Sequence, residues 1–238
     1  MTERAIRLHT PAELAAGAEL RLEVRAAHYL AAVMRARSGD VVRLFNARDG
    51  EWRAALAVAK RAVTATVLER VRAPAAEPGP TLAIAAIKRS RLELVVEKAT
   101  ELGVAAIRPV ASARAVVDRI NRERLVAIAT EAAEQCERLS VPQVAELAPL
   151  AAVLAERAAD RPLYAALART DAPGLVEAVA AHGAGDLLIG PEGGFAEAER
   201  AAIAAAPGAV AVSLGPRILR AETAAIAGLA VLALRMSR

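Results

Sequence analysis

Two patterns of apolar and polar positions divide the chain. Through residues 1–72, short segments with partial alternation predict five strands: Arg4–His9, Leu20–Val24, Val41–Asn46, Glu51–Ala59 and Val63–Val71. Only His28–Arg35 carries helical spacing among them, and Ser38-Gly39-Asp40 and Asp49-Gly50 supply turns. Close strands with one helix predict a small β-barrel. Ala73–Pro80, with three prolines and a glycine, reads as a linker. From Thr81 the rhythm changes. Thr81–Ile87 is a continuous apolar run, as expected of a strand buried on both faces. A helix should follow from Ser90, with Glu93 completing a capping box and Gly103 ending it. Val104–Val110 predicts the next strand, and Asn121 caps a helix running to about Leu139. Weaker signals at Gln143–Leu147, Leu150–Ala158, Pro162–Ala168 and Gly174–Ala181 continue the alternation. Residues 81–238 therefore predict an α/β domain with a mostly parallel sheet.

The last quarter holds two strand–turn–helix units in succession. The first reads LLIGPEGGFAEAER from Leu187, and the second AVAVSLGPRILRAETAAIAGLAVLAL from Ala209. Ligands in open α/β sheets sit where strands end in such turns. The first turn is not a phosphate cradle: Pro191 removes an N–H and Glu192 adds negative charge. A neutral or cationic ligand fits it better. In the second, Arg217, Arg220 and Glu222 fall within six residues among apolar neighbours.

Charge refines this division. Residues 1–72 carry thirteen Lys and Arg against eight Asp and Glu, while the remainder carries eighteen against nineteen. A basic module joined to a neutral one is what a nucleic-acid footprint looks like. Arg7, His28, Arg35, Arg37 and Arg43 are its candidate contacts, and Lys88, Arg89 and Arg91 form a second basic group at a strand-to-helix turn. Tyr29, Phe45 and Trp52 are open to base stacking or to core packing. One cysteine, Cys136, excludes an internal disulfide, and three histidines make a metal cluster implausible. The charged N-terminus lacks a signal-peptide core and the last helix is too short to span a bilayer, so a cytoplasmic location is expected.

IGPEGGF followed by LGPRILRAETA resembles the signature of bacterial small-subunit ribosomal RNA uridine-N3 methyltransferases, members of the SPOUT superfamily. The resemblance extends to SRLELVVEKATELG from Ser90, to EAAEQCERLSVPQV from Glu131, and more loosely to His28–Asp40. It implies a PUA-like RNA-binding domain over 1–72, a linker over 73–80, and over 81–238 a methyltransferase domain with a trefoil knot. It implies S-adenosylmethionine held by three loops: Leu167 onward to Thr170; Ile189, Gly190, Pro191, Glu192, Gly193 and Gly194; and Leu214, Gly215, Arg217, Ile218, Leu219 and Thr223. It also implies a homodimer, ribosomal RNA as partner, and a site or dimer role for Glu134, Gln135 and Arg138, the last as an RNA contact.

Methylation at N3 requires loss of an imide proton and stabilisation of charge spread onto the flanking carbonyl oxygens. Arg220 is the candidate cation, with Arg217 second, and Glu222 the candidate proton acceptor. Two other readings stay open: a related enzyme acting on another RNA or on ribose 2′-O, and a non-catalytic RNA-binding protein of the same fold.

Overall fold

The computed structural model describes residues 6–59, 62–115, 117–167 and 171–236. It divides into two compact units. The first comprises residues 1–77 together with 133–141, and the second residues 78–132 with 142–238.

The first unit is built on a five-stranded sheet in the order β1-β3-β4-β5-β2. Its strands are β1 (Arg7–His9), β2 (Glu19–Arg21), β3 (Val41–Asn46), β4 (Gly50–Ala59) and β5 (Ala62–Arg72). β1 runs parallel to β3, and the other pairings are antiparallel. Leu8, Leu30, Val42, Leu44, Ala54, Val63 and Val67 meet in its core. The predicted helix is a short one, α1 (Val24–His28), followed by a π-helical turn over Tyr29–Val33.

The 133–141 segment belongs to this unit because its carbonyls answer a buried arginine. Arg7 donates through Nη1 to the carbonyls of Ala133 and Glu134, and through Nη2 to that of Arg138, at 3.0–3.1 Å. Its Nε and Nη2 also reach Glu51 Oε2 at 3.2 and 3.0 Å, and its guanidinium lies 4.1 Å from the Phe45 ring centre. Glu51 is 1% exposed, and Arg43 and Arg72 approach it as well. A buried charge is tolerable only when paired in this way.

The second unit holds a seven-stranded sheet whose registered pairs are all parallel, in the order β12-β10-β11-β6-β7-β8, with β9 also on β7. These strands are β6 (Thr81–Ala85), β7 (Ala106–Ala111), β8 (Gln143–Val144), β9 (Ala148–Pro149), β10 (Leu163–Ala166), β11 (Asp186–Ile189) and β12 (Ala209–Val212). The helices are α2 (Arg89–Glu101), α3 (Arg122–Gln135, entering the first unit at its end), α4 (Leu150–Glu156), α5 (Leu175–His182), α6 (Glu197–Ala205) and α7 (Ala221–Met236). Leu82, Ile84, Leu187, Leu188 and Ile189 are buried, as a sheet covered on both faces requires. Among the described residues no helix is long and apolar enough to cross a membrane.

The expected limits of two helices are corrected. Helix α2 starts at Arg89 behind Lys88, and no side chain caps it. Helix α3 is capped by Asn121, whose Oδ1 accepts from Arg124 N at 3.0 Å, but it stops at Gln135 because Glu137 adopts φ +63°. Near the end of α3, Glu134 Oε1 accepts from His9 N, and Arg138 lies 3.6 Å from Glu77.

Burial alone would push the Glu51 carboxyl up, yet hydrogen bonds from Arg7 and Arg43 hold it below the usual carboxylate value. Glu77 behaves likewise, through Ser140 and Leu139. Groups depressed in the folded state contribute stability that is present above the unfolded pKa, about 4.5, and lost as pH falls through the folded value. Stability in urea should therefore decline between pH 5 and pH 3, within about the window where unfolded carboxylates take up protons. Glu51→Ala should lower stability at pH 7 by about 3–5 kcal/mol, because it strands the Arg7 charge.

Candidate active site

The parallel register brings three chain exits to one edge of the second unit. Ala166 at the end of β10 pairs with Ile189 of β11 on one side and Val212 of β12 on the other. Leu167, Gly190 and Ser213 therefore leave the sheet side by side. The return of the first loop is fastened to the third: Ser213 N donates to Pro173 O at 2.8 Å, and Leu175 N to Ser213 O at 3.0 Å. Leu167 is half-buried, and residues 168–170 of this first loop lie outside the described residues.

The first turn folds over its own phenyl ring. Ile189 and Pro191 are buried, and a Cβ on Gly190 would stand 2.9 Å from the Phe195 ring. Gly194 adopts φ +68°, which an L side chain reaches only with strain. Gly193 has no such φ, and a Cβ there would meet only Arg114 side-chain atoms at 3.5 and 3.6 Å. Glu192 and Gly193 are exposed, and Gly194 is half-buried. Two residues that sequence reasoning missed clamp this turn. Arg114 Nη1 donates to Gly193 O at 2.9 Å, and Glu199 accepts from Ala113 N and Ala196 N, both at 2.8 Å. The spacing of Glu199 after Ala196 is a helix-start signal that could have identified the latter; Arg114 carries no local signature.

The second turn meets the first through an arginine from α2. Arg91 Nη1 donates to Glu192 Oε1 at 2.7 Å, and Arg91 Nε lies 3.5 Å from Glu222 Oε1. Glu222 opens α7, its side chain is 13% exposed, and its Oε2 is buried without a hydrogen-bond partner. Arg220 is exposed, as are Gly215, Arg217, Ile218 and Thr223, while Leu214 and Leu219 are half-buried. Arg220 and Arg217 have no side-chain partner among the described residues, so Arg91, and not Arg220, is the ion-pair partner of the two carboxylates.

The candidate RNA contacts separate sharply. Arg7 and Arg138 are buried among contacts within the first unit, which corrects the expectation that Arg7 is a surface contact and that Arg138 faces RNA. Burial pushes the Arg138 guanidinium down from its ordinary value, against the pull of Glu77. Arg43 is half-buried beside Glu51. His28, Arg35, Arg37 and Lys88 are exposed. Arg91 is half-buried between Glu192 and Glu222. Of the aromatics, Phe45 is buried, Trp52 half-buried with Nε1 donating to Asp49 O, and Tyr29 37% exposed.

A cavity of about 500 Å³ opens at the opposite, N-terminal edge of these strands. Its arginines serve the fold. Arg108 pairs with Glu156, Arg157 donates to the carbonyls of Pro207 and Arg161, and Arg161 lies 3.7 Å from Asp186. The three aligned strand ends, with an orphan carboxylate oxygen beside them, are the better candidate.

Known proteins resemble this chain in sequence and in fold. Residues 77–233 match the RNA methyltransferase domain model, and residues 22–68 the RNA methyltransferase PUA domain model. The chain is 33% identical over 206 residues to ribosomal RNA small subunit methyltransferase E of Rickettsia conorii, covering 85% of this chain and 84% of that one. This chain belongs to the ribosomal RNA small subunit methyltransferase E family. The family member of Bacillus subtilis is 33% identical over 221 residues, covering 86% of each chain. A solved family member from Neisseria gonorrhoeae, bound to S-adenosyl methionine, superposes with TM-score 0.85 at 30% identity, covering 96% of this chain and 97% of that one. A Legionella pneumophila protein solved with bound SAM gives TM-score 0.83 at 31% identity, covering 97% of each.

The glycine geometry separates two substitutions in one turn. Gly194→Ala should lower stability by about 1–2 kcal/mol, the penalty of a left-handed alanine, whereas Gly193→Ala should leave the denaturation midpoint nearly unchanged. Urea denaturation of the two variants beside the wild type checks this.

Proposed function

We propose that this chain is a small-subunit ribosomal RNA methyltransferase that uses S-adenosylmethionine to methylate N3 of a uridine. The observation that carries the reading is Glu222 Oε2: a buried carboxylate oxygen without a partner, two residues after the exposed Arg220 and following the C-terminal end of β12, which is aligned with those of β10 and β11. Family membership and the donor-bound relatives support it.

The residues present fit the donor. A turn with Pro191 and Glu192, and a second carboxylate behind it, disfavours a phosphate and suits a molecule carrying a sulfonium and an ammonium. Ile189–Gly194, Leu214, Gly215, Ile218 and Leu219 would line its seat, with Leu167 and the loop after it as the third wall. When bound, S-adenosylmethionine supplies an electrophilic methyl group. In this reading Glu222 accepts the uridine N3 proton, directly or through water, while Arg91, 3.5 Å from Oε1, orients the carboxylate. Arg220 is free to stabilise the negative charge that spreads onto the uracil oxygens. Orienting the two reactants supplies a further share of the rate.

Exposed His28, Arg35, Arg37 and Lys88 are the RNA contacts of this reading. A homodimer is part of it too. The buried stripe of α7 is Ala221, Ala225, Leu229 and Leu232, which leaves Ile226 and Val231 half-buried and Leu234 73% exposed. Threading of the C-terminal segment as a trefoil knot is inferred from the family resemblance. A crystal structure traced continuously through residues 163–236 tests it.

Mass spectrometry of the nucleosides released from treated small-subunit RNA should show 3-methyluridine; a 2′-O-methyl product would overturn the N3 assignment. Arg220→Ala should keep donor affinity within about a few-fold and lower turnover by roughly two to three orders of magnitude, as for loss of one charge-stabilising donor. Joint loss of donor binding and turnover would move Arg220 into the cofactor seat. Sedimentation at micromolar concentration should show roughly 50 kDa, twice the 24.7 kDa chain; a monomer alone would contradict the dimer.

A further inference from the structure

Three unusual features coincide between residues 24 and 37 of the first unit. The backbone makes a π-helical turn over Tyr29–Val33, with Met34 N donating to Tyr29 O at 3.0 Å. Such turns are rare and frequent at functional sites. Arg35 then adopts φ +54°, a left-handed conformation that a long side chain seldom takes. Finally, the segment is apolar on both faces. Leu30 is fully buried, with Ala26, Ala27 and Ala36 packed beside it, and this inner face accounts for the fold. The outer face needs another explanation: Val24 is 88%, Val33 61%, Met34 43% and Tyr29 37% exposed.

Charge identifies what covers that face. Residues 21–37 contain four arginines, Arg21, Arg25, Arg35 and Arg37, against one acid, Glu23. They thus contribute three units to a chain whose whole net charge is +4. An apolar protein surface would not require that excess, whereas an RNA strand presents phosphates to the arginines and flat bases to the ring. Phe45 and Trp52 are held in the fold, so Tyr29 is the aromatic ring of this unit most available to a base.

We infer that the ridge over residues 24–37 is the RNA-docking surface of the first unit, with Tyr29 stacking on an unpaired base, Val33 and Met34 packing beside it, and Arg35 and Arg37 contacting the flanking phosphates. The π-helical turn and the left-handed Arg35 direct these side chains away from the core that Leu30 anchors. This rests on the reading of the chain as a ribosomal RNA methyltransferase.

The test measures affinity of the full-length protein for the assembled small ribosomal subunit and for its protein-free RNA, over a range of salt, with S-adenosylmethionine affinity followed in parallel. Tyr29→Ala and Tyr29→Leu should each weaken RNA binding about tenfold, within the range of one lost base–aromatic stack, whereas Tyr29→Phe should bind like the wild type. None of the three should change donor affinity or the salt slope. Arg37→Ala should instead reduce the salt slope by about one, the mark of a lost phosphate contact. Full affinity in Tyr29→Leu would overturn the stacking assignment, since any apolar side chain would then serve, as in a contact with a ribosomal protein. Full affinity in Tyr29→Ala, or an unchanged slope in Arg37→Ala, would remove the ridge from the interface. If the wild type bound neither subunit nor RNA, the methyltransferase reading would fail and this inference with it.

Discussion

Arg91 stands between two carboxylates far from it in sequence, Glu192 of the first turn and Glu222 of the second. The site depends on that ion network. Without a cation between them the two acids would repel across a partly desolvated edge. With Arg91 present, one Glu222 oxygen is held and the other is left buried and unpartnered. A buried acceptor without a donor costs free energy in the resting protein, and that cost is removed when a ligand supplies the missing hydrogen. The same principle, applied in the first unit, gives the opposite result. Glu51 accepts from Arg7 and Arg43 and is approached by Arg72, and it serves only the fold.

Strand register does the rest of the positioning. Because β10 lies between β11 and β12 in parallel alignment, turns more than twenty residues apart leave the sheet at adjacent points. The loop at Ala113 and Arg114 then closes on the first turn through Gly193 O and Glu199. The catalytic chemistry proposed for Arg220 and Glu222 therefore uses a scaffold assembled from four separate segments. None of these segments forms a site by itself.

Much of this was legible in the sequence, and for identifiable reasons. Continuous apolar runs at Thr81 and Leu187 can hardly be anything but doubly covered strands, and the structure places strands there. The glycine turns were visible because Gly194 meets a backbone requirement, φ +68°, that sequence displays directly. What could not be read were partnerships between distant residues. Arg7 sits in an alternating segment and looks like any surface arginine; its burial follows from Glu51 and from carbonyls of residues 133–138. Arg91 reads as one member of a basic group because sequence shows only its nearest neighbours, Lys88 and Arg89, and not Glu192 and Glu222. The end of α3 was overrun because nothing in the residue type of Glu137 announces a positive φ.

The central claim is that this edge of the sheet, lined by Glu192 and Glu222, selects a cationic methyl donor and not a phosphate-bearing nucleotide. Calorimetric titration of the full-length protein with S-adenosylmethionine, and separately with adenosine diphosphate, tests it most directly. The account predicts saturable binding of S-adenosylmethionine, one per chain, and no measurable heat with adenosine diphosphate at the same concentrations. Adenosine diphosphate binding as tightly as S-adenosylmethionine, or no binding of S-adenosylmethionine at all, would contradict it.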